Sequence, residues 1–302
     1  MESSIRKLIP NVVAVTNVST VGGGCISDAA RVVLKYSDGT AETVFVKSND
    51  RSFAENFECE RDGLSRLRAA DAIEVPEVIA GGVVDGRAWL VMRWIESGHR
   101  GSSFFADFGC CLAALHRTTL RQTTLHQTTL GTAIGLDRDN YLGSARQPNA
   151  SRSTWSEFVA DQRIGFQLRW AVDQGLADSS LQRDIETIVG RMDELLAGRD
   201  DETSLLHGDL WSGNYLCDAD GQPVIVDPAV YRGCREAEFG MLRLFGSCPA
   251  EFYEAYDDAF PLPAGWQRRT GVYVLYHLMN HLNMFGVGYL DQCRSTVSNL
   301  LS

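Results

Sequence analysis

The sequence predicts an α+β protein with a β-rich N-terminal lobe and a mainly helical C-terminal lobe. Two patterns support this prediction. Short β-branched or alternating runs, separated by glycine-containing turns, fill the first third of the 302-residue chain. After a polar break at residues 96–98, apolar residues recur at the three- and four-residue intervals of amphipathic helices. We therefore assign residues 1–95 to the N-terminal lobe and residues 96–302 to the C-terminal lobe.

The predicted N-terminal lobe opens with strands on either side of a glycine-rich turn. A short β-branched run at residues 12–15 precedes the turn at residues 21–27, and an extended pattern resumes at residues 30–36. The Asp-Gly pair at residues 38–39 is a strong hairpin signal, so residues 43–47 are predicted as the return strand.

A helix and a buried strand complete this lobe. Residues 57–70 carry apolar side chains at helical spacing, and Pro76 follows the end of that pattern. The apolar run at residues 88–95 has the length of a strand that is buried on both faces.

Helical patterns dominate the rest of the chain. The predicted helices are residues 104–116, 155–175, 181–196, 251–260 and 266–284. Two short apolar runs at residues 205–206 and 224–226 interrupt them, and we interpret both as buried strands.

Residues 207–214, which read HGDLWSGN, have the residue types of a phosphoryl-transfer site. Asp209 follows one short strand, Asn214 stands five positions later, and Asp227 ends the next strand. A carboxylate can orient an attacking hydroxyl and accept its proton. Amide and carboxylate oxygens are ligands that suit magnesium. We therefore predict Asp209 as the catalytic base and Asn214 and Asp227 as Mg²⁺ ligands.

The N-terminal lobe carries a lysine of the kind that binds nucleotide phosphates. Lys47 ends an alternating strand, and a helical glutamate is expected to hold it in position. Glu60 is our assignment for that partner, although Glu55 and Glu58 lie on the same predicted helix. The expected cofactor is ATP with Mg²⁺.

The glycine-rich turn is a second candidate for phosphate contact. The N–H groups of Gly22, Gly23 and Gly24 carry no side chains beside them and could approach phosphate oxygens closely. Cys25 follows them, and nearby donors would lower its thiol pKa and raise its reactivity. Cys25 is therefore either a redox-sensitive residue at the nucleotide loop or an unreactive small residue.

Trp94, Ile95 and Glu96 lie where the buried strand meets the polar break. A hinge of this kind can present backbone groups to the adenine base. We assign these three residues to nucleotide binding.

With these motifs in place, the chain resembles the fructosamine (ketosamine) kinases, which are relatives of the aminoglycoside phosphotransferases and, more distantly, of protein kinases. The resemblance rests on GGGCI at 22–26, FVK at 45–47, QRIG at 162–165, LHGDLWSGN at 206–214, DPAVY at 227–231, REA at 235–237 and LYHLMNHL at 275–282. It implies a two-lobed protein-kinase-like fold. It also implies ATP-dependent phosphorylation, at the C3 hydroxyl, of a ketosamine on protein lysines or free amines, which leads to deglycation.

The resemblance assigns Trp211, His207 and Tyr231 to the acceptor side of the site. Trp211 is either an apolar wall beside the sugar or a core residue. The chain departs from the family pattern at Cys234, where histidine is common, and at Glu238-Phe239, where Asp-Leu is common. These departures could alter a contact to the catalytic loop or the choice of substrate.

Three alternatives stay open at this point. The acceptor could be another small hydroxylated molecule, such as an aminoglycoside or a choline-like amino alcohol. The chain could be a nucleotide-binding module without catalytic activity, or a phosphohydrolase that uses water as acceptor. Phosphate transfer to a ribulose- or fructose-amine distinguishes our assignment from all three.

The composition of the chain also limits which kinds of partner we expect. The net charge of −11 disfavours a general nucleic-acid binder, because phosphate contacts need clustered lysine and arginine. No apolar run reaches the length of a membrane span, and the N-terminus has no apolar signal core. The eight cysteines form no CxxC pair. We expect a cytoplasmic protein that is a monomer, or a dimer linked by oxidation.

Overall fold

The structure, a computed structural model, describes residues 1–22, 26–125, 133–199 and 203–302. Gly23, Gly24 and Cys25 lie outside the described residues, so their predicted roles have no structural account here. The chain divides into two compact units. Unit 1 comprises Met1–Phe104 and Gly213–Pro228, and unit 2 comprises Phe105–Ser212 and Ala229–Ser302.

The secondary structure follows the predicted division into a strand-rich first part and a helical second part. The strands are β1 (Val12–Thr20), β2 (Asp28–Tyr36), β3 (Ala41–Asp50), β4 (Val78–Val84), β5 (Arg87–Arg93), β6 (Asn140–Leu142), β7 (Ala145–Gln147), β8 (Ser204–Leu206), β9 (Tyr215–Cys217), β10 (Pro223–Ile225) and β11 (Tyr231–Gly233). The helices are α1 (Glu2–Leu8), α2 (Ala54–Ala69), α3 (Phe104–Leu125), α4 (Trp155–Phe158), α5 (Phe166–Asp173), α6 (Ser179–Gly190), α7 (Met192–Leu195), α8 (Glu238–Leu244), α9 (Ala250–Ala259), α10 (Trp266–Phe285) and α11 (Leu290–Leu301). The α+β class is confirmed.

Unit 1 is built on an antiparallel sheet with the strand order β1-β2-β3-β5-β4. Alternate residues of β2 and β3 are buried, among them Val32, Leu34, Val44 and Val46, and they form one face of a core. Because β3 pairs with β2 on one side and with β5 on the other, it is hydrogen-bonded on both sides. Its residues are therefore held more firmly than those of an edge strand.

Two elements of unit 1 were not apparent from the sequence pattern. Strand β4 contains Gly81 and Gly82, which interrupt the run of side chains that identifies a strand. The short helix α1 has only two buried residues, Ser4 and Ile5, and so shows no helical apolar stripe. By contrast, the hairpin between β2 and β3 turns at Gly39, whose φ of +88° suits a residue without a side chain.

The second segment of unit 1 is a small hairpin. Strands β9 and β10 pair antiparallel, with Tyr215 opposite Ile225. The Ile225 N–H donates to the Glu74 carbonyl at 3.0 Å, which ties the hairpin to the chain that follows α2. This contact brings a segment more than a hundred residues later in sequence into the N-terminal unit.

Unit 2 packs around α10, whose buried face includes the large side chains Tyr273, Tyr276 and Met279. Helices α4 and α5 are joined by a π-helical segment, Val159–Gly165, inside the region predicted as one helix. Strands β8 and β11 pair antiparallel, with Leu206 opposite Tyr231. Because β8 is paired in this way, the loop of residues 207–212 that follows it begins in the core of unit 2.

Across the described ranges, no helix is both long enough and apolar enough to cross a bilayer.

Candidate active site

Lys47 forms two ion pairs inside unit 1. Its Nζ donates to Glu60 Oε1 at 2.8 Å and to Asp227 Oδ1 at 2.7 Å. Strand β3 supplies Lys47, helix α2 supplies Glu60, and Asp227 follows β10. The side chains of Lys47 and Glu60 are only 11% and 13% exposed, so this ion pair is largely shielded from bulk water.

The charges of this cluster shift its proton equilibria. Burial would lower the pKa of Lys47, but the charges of Asp227 and Glu60, together with their hydrogen bonds, outweigh burial and raise it. Lys47 is therefore a cation at neutral pH. Burial raises the pKa of Glu60 to about 7, against the opposing effect of Lys47. Burial thus disfavours the ionised form of Glu60, and the positive charge of Lys47 offsets part of that effect.

Asn214 and Asp227 lie beside each other at one end of the β9–β10 hairpin. The Val226 N–H donates to the Asn214 carbonyl at 3.0 Å, which extends the ladder to the residue before Asp227. Asp227 has a φ of +58°, an uncommon left-handed conformation for a residue with a side chain, and that side chain is 44% exposed. Strain of this kind is often stored at functional sites.

The donor set of this hairpin end fits magnesium. A carboxylate oxygen from Asp227 and an amide oxygen from Asn214 are hard ligands, and Mg²⁺ commonly takes one or two protein groups together with phosphate oxygens and water. The described residues contain no group of three or more His, Cys, Asp or Glu side chains that could hold a metal ion.

The other nucleotide candidates of unit 1 lie around the end of β5. The Trp94 N–H donates to the Thr43 carbonyl at 3.2 Å, so this group already belongs to the sheet. The Trp94 indole N–H donates to Glu96 Oε2 at 2.9 Å, and Ile95 is half-buried between them. Gly22 is exposed, with no atom within 4 Å of where a Cβ would lie.

In unit 2, Asp209 lies on a sharply constrained loop after β8. Gly208 has a φ of +81°, and a Cβ at this position would come within 2.2 Å of the Ala229 carbonyl oxygen. The Ala229 N–H in turn donates to the His207 carbonyl at 2.9 Å. Only glycine can occupy position 208 without displacing the neighbouring backbone.

Hydrogen bonds hold the backbone of the same loop. The His207 N–H donates to Glu238 Oε2 at 2.7 Å and the Gly208 N–H donates to Glu238 Oε1 at 3.1 Å. The Asp209 N–H donates to Nδ1 of His207 at 3.3 Å. His207 is fully buried, whereas Asp209 is half-buried. The sequence patterns identified Glu238 only as a departure from the family, and its contacts to the loop are 30 and 31 positions away.

Trp211 begins a row of aromatic rings in unit 2. Its ring centroid is 5.9 Å from that of Phe245, which is 4.9 Å from that of His281. Both Trp211 and Phe245 are half-buried. The ring of Trp211 is therefore in part accessible on the same loop as Asp209.

Tyr231 belongs to the interior of unit 2. It is 4% exposed, and burial raises the pKa of its hydroxyl to about 12. The Arg163 guanidinium lies 4.2 Å from the centre of its ring and donates to Asn149 Oδ1 at 2.8 Å. Arg163 was not among the predicted site residues, although it lies in the QRIG segment at 162–165 on which the resemblance rests.

Comparison with known proteins shows which family this chain is similar to. The family model for fructosamine kinase matches residues 1–302. The chain is 37% identical to the chloroplastic protein-ribulosamine 3-kinase of Arabidopsis thaliana, over 95% of this chain and 83% of that protein. It is also similar to the crystal structure of a "putative fructosamine-3-kinase" from Thermobifida fusca, with 30% identity, a TM-score of 0.82, and coverage of 100% of this chain and 98% of that one.

A more distant likeness concerns the fold alone. The aminoglycoside phosphotransferase APH(4)-Ia, solved with ADP and hygromycin B, superposes with a TM-score of 0.66 at 16% identity, over 99% of this chain and 96% of that one. The predicted kinase-like fold is confirmed by these structural neighbours.

Proposed function

The chain belongs to the fructosamine kinase family, and from this premise we propose that it transfers the γ-phosphoryl group of ATP to the C3 hydroxyl of a ketosamine. The acceptor is a fructose- or ribulose-type adduct on a protein lysine or a free amine. Phosphorylation at C3 destabilises the adduct and so serves deglycation. The enzyme class is that of phosphotransferases with a hydroxyl acceptor.

The observation that carries this proposal is the pair of ion pairs around Lys47. A cation fixed by Glu60 and linked to Asp227 is the arrangement that phosphoryl transfer needs on the nucleotide side. In the proposed role, Lys47 binds phosphate oxygens of ATP, and the backbone near Gly22 approaches the same phosphates. Trp94, Ile95 and Glu96 are assigned to the adenine end.

Asn214 and Asp227 are proposed to hold magnesium, which when bound neutralises the charge of the phosphates. The exposure of the Asp227 carboxylate and the short backbone link to Asn214 support this role. Because Asp227 also accepts from Lys47, its carboxylate orients the lysine as well.

Asp209 is proposed as the base that orients the acceptor hydroxyl. The hydroxyl oxygen forms the new bond to phosphorus, its proton passes to the Asp209 carboxylate, and the bond to the leaving ADP oxygen breaks. The constrained backbone at Gly208 supports the role, because it limits the directions in which the following side chain can point.

On the acceptor side, Trp211 is proposed as an apolar wall beside the sugar. His207 and Tyr231, which we also assign to this side, are buried at 0% and 4% exposure. Their burial supports indirect roles, in which His207 accepts from the Asp209 backbone and Tyr231 packs beneath Arg163. We further propose a cytoplasmic enzyme that needs neither nucleic acid nor a membrane.

The test is a panel of acceptors with radiolabelled ATP and purified full-length protein. We expect label on a ribulose- or fructose-derivative of a lysine peptide, and none on choline or on an aminoglycoside. Label on choline or on an aminoglycoside would show that the acceptor belongs to that class and not to the ketosamines. Release of free phosphate alone would indicate a phosphohydrolase, and ATP binding without turnover would indicate a silent module. An Asp209→Asn variant, which lacks the proposed base, serves as the negative control.

A further inference from the structure

A glycine of the hinge segment, residues 94–101, lies directly against the β9–β10 hairpin. The Gly98 N–H donates to the Cys217 carbonyl at 2.9 Å, and Ser97 forms an antiparallel bridge with Asp218. A Cβ at position 98 would lie only 1.9 Å from the Asp218 carbonyl oxygen. The hinge segment and the hairpin therefore meet backbone to backbone, at a distance that only glycine allows.

The hairpin meets Gly98 with its turn and carries the proposed metal ligands at its other end. The Asp218 N–H donates to the Gln222 carbonyl at 3.0 Å, and Asp218 Oδ1 accepts from the Gln222 N–H at 2.7 Å, so the turn is closed. Each strand has three residues, which makes the ladder about 10 Å long. Asn214 and Asp227 adjoin its far end. A displacement of the turn is therefore carried along a short ladder to both proposed ligands.

A stacked cation holds strand β9 to the same segment. The guanidinium carbon of Arg100 lies 5.1 Å from the ring centre of Tyr215 and 5.1 Å from that of Phe104, and both rings are buried. A cation within about 6 Å of a ring centre is attracted by the electrons of its face. Because Tyr215 directly follows Asn214, this contact lies one residue from a proposed metal ligand.

The other strand of the hairpin is held through main-chain groups. The Ile225 N–H donates to the Glu74 carbonyl at 3.0 Å, and Glu74 forms a parallel bridge with Val224. The contact at Gly98 differs, because it also requires that residue 98 has no side chain. The position of the hairpin thus depends on one residue type in the hinge segment.

We propose that Gly98 is a positioning residue for magnesium: it admits the turn of the hairpin and so sets where Asn214 and Asp227 lie relative to the hinge segment. The inference rests on the proposed function, because it needs these two residues as metal ligands. A methyl group at position 98 requires at least about 1 Å more room, since a Cβ does not come within 3.0 Å of a carbonyl oxygen. Magnesium demands near-ideal octahedral geometry, so a shift of this size acts on the metal first.

The experiment compares Gly98→Ala with Gly101→Ala in the full chain. Gly101 belongs to the same segment, but among the described residues no atom lies within 4 Å of its Cβ position. Calorimetry measures the Kd of ADP in the presence of Mg²⁺ and in EDTA, and deuterium uptake is followed in peptides that cover residues 213–228. Ile5→Ala, in the core where α1 packs on β1 and β4, is the control for a general loss of stability.

We expect Gly98→Ala to raise the Kd of MgADP at least about tenfold, because groups that orient metal ligands typically contribute a factor of about 10 to 100 to metal affinity. The Kd of metal-free ADP should change less than about threefold, since Lys47 keeps its ion pair with Glu60. Uptake in residues 213–228 should rise. Gly101→Ala should match the parent, and Ile5→Ala should lower the midpoint of thermal unfolding while the ratio of the two Kd values stays parental.

Three results would overturn the proposal. They are a parental ratio of the two Kd values in Gly98→Ala, equal weakening with and without Mg²⁺, and the same change of ratio in Ile5→Ala. If Gly98→Ala does not fold, Arg100→Gln decides the question against the exposed control His99→Gln. Arg100→Gln should raise the Kd of MgADP about threefold together with uptake in residues 213–228, and parental values in both would overturn the proposal.

The binding and exchange measurements separate this inference from the proposed function. A parent that binds MgADP but phosphorylates no ketosamine would refute the proposed activity, while the dependence of the Kd on Mg²⁺ would still test Gly98. A parent whose affinity for ADP does not respond to Mg²⁺ would refute the assignment of Asn214 and Asp227 as metal ligands, and the positioning role of Gly98 with it.

Discussion

The candidate site residues of unit 1 and those of unit 2 are held in different ways. In unit 1, Lys47, Glu60 and Asp227 are joined side chain to side chain by ion pairs, and Asp227 remains 44% exposed. In unit 2, the loop of Asp209 is held through its backbone, by Glu238 and by the close contact at Gly208. The residues that we propose for the nucleotide are thus held by charge, whereas the proposed base is held by the shape of a turn.

This difference has a functional consequence. Ion pairs that also face a ligand can rearrange when phosphates and metal arrive, so changes in unit 1 should act mainly on nucleotide affinity. A turn fixed by buried contacts cannot adjust in this way, so changes there should act on the catalytic step or on stability. The following predictions test the contrast, beginning with the largest effect.

Replacement of Asp209 should separate catalysis from nucleotide binding most clearly. We expect Asp209→Asn to lower kcat by about three orders of magnitude, because general base catalysis and orientation are both lost. The dissociation constant for ATP should change less than about threefold, since a factor of this size is below 1 kcal/mol. Steady-state kinetics and calorimetric titration check both. The exposed Asp220→Asn is the control, and parental turnover in Asp209→Asn would remove the assigned role.

A methyl group at position 208 should break the turn of unit 2. Gly208→Ala is expected to reduce the free energy of unfolding by about 2–4 kcal/mol, from left-handed strain and from the clash with the Ala229 carbonyl. Gly221 is the matched control: its φ is +82°, but no atom lies within 4 Å of its Cβ position. Gly221→Ala should therefore cost only about 1 kcal/mol. Urea unfolding measures both, and equal losses would argue against the clash.

Removal of the charge of Glu60 should affect unit 1 through the nucleotide. We expect Glu60→Gln to raise the KM for ATP about tenfold, because one charge-assisted bond to Lys47 is lost. The change in kcat should be smaller. Glu58→Gln, an exposed position on the same helix, serves as the control. A larger effect of Glu58→Gln would transfer the pairing role away from Glu60.

The buried His277 should make unit 2 sensitive to acid. Burial lowers the pKa of His277 to about 3, while in the unfolded chain it would be near 6.5. Below pH 6.5 the unfolded chain binds a proton that the folded chain does not, so stability falls as the pH drops from about 6.5 towards 3. The slope from this residue is at most about 1.4 kcal/mol per pH unit. Urea unfolding at several pH values should show a shallower slope in His277→Gln, and an unchanged slope would contradict the prediction.

Much of the fold could be predicted because its signals are local. The Asp38-Gly39 hairpin, the buried run of β5 and the apolar stripe of α10 each lie within about twenty consecutive residues. Elements without such a signal were missed: β4 has glycines in place of side chains, and the π-helical segment Val159–Gly165 differs from an α-helix in hydrogen bonding but not in pattern.

The candidate site residues also separate into those with a local sequence signal and those without one. By itself the sequence determined the chemical types and short spacing of Asp209 and Asn214, since both lie on one loop, and it indicated a lysine and a later aspartate of the right kind. Only the tertiary structure decided which groups meet: Lys47 pairs with Asp227 across 180 positions, and Glu238 reaches back 31 positions to His207. The physical reason is that spacing along the chain reports backbone geometry over a few residues. A buried ion pair or a carboxylate beneath a turn depends on how distant segments pack.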